Sequence, residues 1–180
     1  MSLSENQNFP KLEELITNES LTKSNNIDKI TDKIFLGDEE GAKELDFFKK
    51  EDIHNILSII ESPPTYPQEL NINHKTIKLE EKLSLKIIPY LKECIDFIEQ
   101  SDKIFVHCSC GLSRSPAIVI GYLMWKTHNN FEQVYNYIQK RRPRVELTIG
   151  FVGQLKKFEK LLKNNNYNLN TIDFNSIKIK

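Results

Sequence analysis

The sequence predicts an α/β domain built on a mainly parallel, twisted central sheet flanked by helices, and three observations predict it. Short runs rich in isoleucine and phenylalanine alternate with longer stretches whose apolar residues recur at helical spacing. The run Ile104 to Val106 is apolar throughout, as a strand covered on both faces must be. Ala117 to Trp125 is apolar on nearly every side, which suits a helix buried all round. With 180 residues, 39% of them hydrophobic, the chain builds one substantial core, so a single domain is expected.

The elements follow in order. Met1 to Asn26 is polar with a weak apolar repeat at Leu12, Leu15 and Ile16, so this lead is either disordered or one docked helix. Ile30, Ile34, Phe35 and Leu36 predict a strand ending at Gly37, and Ala42, Leu45 and Phe48 predict a helical stretch after it. A strand follows at Ile56 to Ile60. Ser62 to Asn73, with Pro63, Pro64 and Pro67, reads as an exposed loop, and the next strand lies near Lys75 to Leu79. Ile87, Leu91, Ile95 and Ile98 predict a helix ending near Gln100, with Pro89 tolerated in its first turn. Past the buried strand and helix, Phe131, Val134, Tyr135 and Ile138 mark one more helix, and Phe151, Leu155, Phe158 and Leu162 another. The domain therefore runs from Ile27 to Lys163. The Asn-rich tail from Asn164 to Lys180 favours flexibility, with Ile172, Phe174 and Ile177 as the residues able to dock.

Lysine and arginine number 25, as do aspartate and glutamate, so no global field recruits nucleic acid or an anionic membrane. No stretch approaches the roughly 18 apolar residues of a membrane span, and the first residues lack the pattern of a secretory leader. The expectation is a soluble monomer of the cytoplasm, with the nucleus as the other compartment. Three cysteines make no disulfide framework, and an odd count in a reducing compartment points to a free or reactive thiol.

That thiol is found in His107-Cys108-Ser109-Cys110-Gly111-Leu112-Ser113-Arg114-Ser115, between the buried strand and the buried helix. A cysteine at a strand's end, with an arginine opening the next helix, lets Ser109, Cys110, Gly111, Leu112 and Ser113 curl so that successive N–H groups face one point, which suits a phosphate. Gly111 supplies the backbone freedom for the curl. The helix start and the neighbouring cation favour the thiolate of Cys108, a nucleophile. Arg114 offers planar donors that match two phosphate oxygens, and the Ser115 hydroxyl can donate to the sulfur when it departs. Taken alone, Cys108 reads as an ordinary buried cysteine; its company with Gly111, Arg114 and Ser115 reverses that. Zinc is not expected beside His107, Cys108 and Cys110, because no second compact Cys/His pair completes four ligands. Lys140-Arg141-Arg142 with Arg144 reads as a solvated basic run at a helix C-terminus rather than a docking patch.

The segment His107 to Pro116 resembles the phosphate-binding loop of protein tyrosine phosphatases, in the Ser-Arg-Ser form of dual-specificity phosphatases. Ile34-Phe35-Leu36-Gly37, Tyr122-Leu123-Met124, Arg142-Pro143, Gly150-Phe151 and Gln154-Leu155 fall where that family has similar words. The resemblance implies a protein tyrosine phosphatase-like fold and cofactor-free, metal-free hydrolysis of phosphate monoesters through phosphocysteine. It also implies a pocket shallow enough for phosphoserine and phosphothreonine as well as phosphotyrosine. No lysine lies in the loop, where phosphoinositide phosphatases of that superfamily often have basic residues, which favours a phosphorylated protein as substrate; an RNA or phosphoinositide phosphatase stands as a further rival.

The sequence departs from the family in three places. Where the family has its acid aspartate this chain has Glu81, with Glu80 as the alternative; the longer side chain moves the carboxyl and lowers efficiency. Thr148 stands where an asparagine usually braces the loop, and Leu147 where a proline precedes it. Cys110 is either inert or a partner for an oxidised Cys108, in a strained bridge. His107 is read as supporting the loop. These departures leave a phosphate-binding pseudophosphatase as the rival to an active enzyme.

Overall fold

The computed structural model describes residues 9–17, 24–79 and 86–174. Its sheet comprises β1 (Ile27–Lys29), β2 (Ile34–Gly37), β3 (Asn55–Ile59), β4 (Asn73–Ile77) and β5 (Ile104–His107), in the spatial order β1-β2-β5-β3-β4. β5 pairs in parallel with β2 on one side and β3 on the other, β3 pairs in parallel with β4, and β1 alone runs antiparallel, against β2. The uninterrupted apolar run of β5 is explained by this central place.

Because successive side chains point to opposite faces, register fixes what each face buries. Phe35, Phe105 and Ile56 stand side by side and pack, with Ile27, Ala42 and Ile53, beneath Phe48 of α1 (Leu45–Glu51). The Phe48 and Phe105 rings lie 5.2 Å apart. The adjacent row, Leu36, Val106 and Leu57, faces the larger core. That core is closed by α2 (Ile88–Gln100), α3 (Arg114–Thr127), α4 (Phe131–Arg141) and α5 (Ile149–Asn164). The third row, Gly37, His107 and Ser58, ends the strands at their C-terminal edge, where ligands bind in sheets of this kind.

α3 is buried from Arg114 through Met124, as its unpatterned apolar sequence requires, and it packs against α2, α4 and α5. Pro89 sits in the first turn of α2. α4 opens with a reciprocal cap: Gln133 N–H donates to Asn130 Oδ1 at 2.9 Å, and Asn130 N–H donates to Gln133 Oε1 at 3.0 Å.

Several boundaries differ from the sequence reading. β1 gave no apolar run, because it has only three residues and Asp28 lies in its middle. β4 starts earlier and stops at Ile77, short of Leu79; as an edge strand it is half-buried and carries polar residues. The helical stretch around Ala42 is a 3-10 turn, Gly41–Lys43, followed by α1. Within the proline-rich loop, a turn at Gln68–Leu70 tucks Leu70 into the protein. In the N-terminal lead, Leu12–Leu15 forms a 3-10 turn that buries Leu12. Past α5, Leu169, Ile172 and Phe174 are buried in the main core, whereas Ile177 lies outside the described residues. Among the described residues no helix is long and apolar enough to cross a membrane.

Candidate active site

The loop between β5 and α3 is held by its carbonyls. The Ser109 carbonyl accepts from Glu39 N–H at 3.1 Å, that of Leu112 from Glu146 N–H at 3.0 Å, and that of Ser113 from Ala117 N–H at 2.9 Å. The Gly111 carbonyl accepts from Arg142 Nε at 3.0 Å. In a trans peptide the next residue's N–H points opposite to the carbonyl. Tying these four carbonyls to the scaffold therefore turns the N–H groups of Cys110, Leu112, Ser113 and Arg114 the other way, off the scaffold. Gly111 adopts φ +63°, and a Cβ there would fall 2.5 Å from the Gly37 carbonyl oxygen and onto the Arg142 guanidinium. Only glycine fits.

Arg142 corrects the sequence reading most sharply. It is wholly buried rather than solvated. Its Nη1 pairs with Asp28 Oδ2 at 2.5 Å, and its Nη2 lies 3.8 Å from Asp38 Oδ2. Asp38 in turn pairs with Arg144 and accepts from Gly41 N–H at 2.9 Å. The short polar strand β1 thus supplies the counter-charge for the cation that braces Gly111. The available signal was spacing: Arg142, just past the end of α4, continues the four-residue step of the buried Val134 and Ile138.

Cys108, Arg114 and Ser115 are brought together. Cys108 is buried at the end of β5, and Ser115 Oγ donates to its sulfur at 3.3 Å. Arg114, also buried, spans the loop: Nη1 donates to the Leu79 carbonyl and Nη2 to Ser109 Oγ, each at 3.0 Å. Leu112 and Ser113 are half-buried, and Cys110 is exposed. Thr148 caps α5, its Oγ1 accepting from Phe151 N–H at 3.3 Å, while its own N–H reaches Ser113 Oγ at 3.4 Å. The third cysteine, Cys94, is enclosed in the core, and burial pushes its thiol well up, so it is inert. Glu80 and Glu81 lie outside the described residues.

Behind the nucleophile runs a polar chain that the sequence did not reveal. His107 Nδ1 lies 3.4 Å from the Cys108 carbonyl, its Nε2 lies 2.6 Å from Ser58 Oγ, and His74 Nε2 lies 2.7 Å from the same hydroxyl. A carbonyl only accepts, so His107 carries its proton on Nδ1 and Nε2 accepts from Ser58. Ser58 has one proton to give, so His74 donates to it. Burial pulls His107 down to about 4 and lowers His74 as well, which keeps the chain neutral.

A family model described as "Dual specificity phosphatase, catalytic domain" matches residues 34–161. The chain belongs to the dual-specificity phosphatase family. It is 31% identical over 144 residues to dual specificity protein phosphatase 1B of Arabidopsis thaliana, covering 77% of this chain and 85% of that protein. It is 32% identical over 136 residues to MAP kinase phosphatase with leucine-rich repeats protein 2 of Dictyostelium discoideum, covering 74% of this chain but 19% of that much longer protein. The crystal structure of DUSP15 superposes with a TM-score of 0.69 at 30% identity, over 78% of this chain and 97% of that one. The domain shared with these phosphatases is thus a protein phosphatase catalytic domain. Among the described residues of this phosphatase no group of three or more His, Cys, Asp or Glu is arranged to hold a metal ion.

Two outcomes follow. Arg142→Lys keeps the charge but loses the planar fork, so urea unfolding should show a loss on the order of 2 kcal/mol and aryl phosphate hydrolysis should fall about tenfold. For pH, the sign follows from His107, which binds its proton less readily folded than unfolded. Its contribution is full above the unfolded value of 6.5 and is lost as pH falls toward about 4. The unfolding free energy from urea titration should therefore drop across that window, by an amount on the order of 3 kcal/mol, and less steeply in His107→Gln.

Proposed function

We propose that this phosphatase hydrolyses phosphotyrosine and phosphoserine or phosphothreonine of proteins in two steps through a phosphocysteine at Cys108. The phosphate sits over the outward N–H groups of the loop from Ser109 to Arg114, with two of its oxygens on the Arg114 guanidinium. The Cys108 thiolate attacks phosphorus in line while Glu81 protonates the departing oxygen. The Glu81 carboxylate then takes a proton from water, which attacks the phosphocysteine. Ser115 donates to the sulfur as the S–P bond breaks.

The observation that carries this reading is the Ser115 hydroxyl on the Cys108 sulfur, inside a loop four of whose carbonyls are drawn the other way. A module that only holds phosphate has no use for a serine poised on a buried thiol. Support for an acid from Glu81 is that Leu79, two residues before it in sequence, is bonded to Arg114. The reading carries a monomer acting on phosphoproteins in the cytoplasm, where its cysteines stay reduced.

The test is hydrolysis of aryl phosphates of falling leaving-group acidity. Cys108→Ser should abolish turnover of all of them. Ser115→Ala should give a burst, with phosphoenzyme accumulating. Glu81→Gln should slow poor leaving groups about a hundredfold and good ones little; the same pattern from Glu80→Gln instead would move the acid to Glu80.

A further inference from the structure

Ile149, the first residue of α5, is 92% exposed; Phe9, the other large exposed hydrophobic among the described residues, is 38% exposed and stacks on His128. Ile149 stands beside the phosphate loop. The N–H of Thr148, its chain neighbour, reaches Ser113 Oγ at 3.4 Å, and Glu146 N–H holds the Leu112 carbonyl at 3.0 Å. The Leu112 side chain is itself only half-buried. One turn along the same face of α5 comes Gly153, where an added Cβ would meet nothing within 4 Å. No packing requires that glycine, and inside a helix it costs about 1 kcal/mol relative to alanine.

An aliphatic side chain in water and bare helical backbone beyond it are each locally unfavourable, and they adjoin the one place where a substrate chain is pinned by its phosphate. A polypeptide crossing this rim would cover both. We propose that Ile149 and Leu112, with the open helix face at Gly153, form a subsite for an apolar residue adjacent to the phosphorylated one. The apolar class follows from the rim: an aliphatic neighbour gains by leaving water there, while a charged one would be desolvated without a partner. This rests on the proposed phosphoprotein reading and adds the sequence class of the substrate to it.

The test compares matched phosphotyrosine peptides with Leu or Asp beside the phosphoresidue, and p-nitrophenyl phosphate, on the unmodified chain, Ile149→Ala and Ile149→Asp. The unmodified chain should prefer the Leu peptide. Ile149→Asp should raise its KM about tenfold with kcat held, Ile149→Ala should raise it less, and p-nitrophenyl phosphate constants should stay within about twofold. Equal constants for the two peptides, or parallel losses on peptide and aryl phosphate, would overturn the subsite alone. So would sedimentation showing that Ile149→Asp breaks a dimer while peptide kinetics stand. Absence of aryl phosphate turnover in the unmodified chain would instead overturn the phosphatase reading beneath it.

Discussion

The site depends on where four carbonyl oxygens point. A free loop of this composition would turn both its carbonyls and its N–H groups to water. Here the carbonyls of Ser109, Gly111, Leu112 and Ser113 are each taken by a donor of the scaffold, and the peptide plane sends the following N–H groups the other way. Three of those donors are backbone N–H groups. The fourth is a buried guanidinium, and it makes the largest demand on the rest of the fold. Its charge has to be met inside the protein, so Asp28 on β1 and Asp38 past β2 are placed within reach. The antiparallel edge strand is thereby tied to the chemistry, although it contributes nothing to the phosphate site directly.

The same economy governs the nucleophile's support. His107 ends the central strand with no exposure to solvent, and a charged imidazole there would lack hydration. A neutral ring needs one donor and one acceptor, and the register of the sheet provides them. Ser58 on β3 stands directly opposite His107, and the Cys108 carbonyl follows in the chain. The strand pairing that fills the core thus also orients the carbonyl of the reacting residue.

The sheet's centre, α3 and the succession of helices were legible because each is written in a continuous apolar run or a helical repeat. The chemistry at Cys108, Arg114 and Ser115 was legible for a different reason: the residues lie within one short segment, so spacing alone assembles them. Arg142, Ser58 and His74 were not legible in that way. They meet the loop only through register and helix packing, and each looks like an ordinary polar residue when read along the chain. Asp28 hid β1 for the same reason, since the residue that makes the strand useful is the one that breaks its apolar pattern. In the tail, Ile172 and Phe174 were legible as residues able to dock, whereas Leu169 was hidden by an asparagine-rich composition that favours disorder.

The most direct measurement is a crystal structure of the chain with vanadate bound. The account predicts vanadium bonded to the Cys108 sulfur, with its equatorial oxygens about 3 Å from the loop N–H groups and two of them on Arg114. Vanadate bound away from the sulfur, or a loop whose Gly111 carbonyl has left Arg142 and turned toward the ligand, would contradict it.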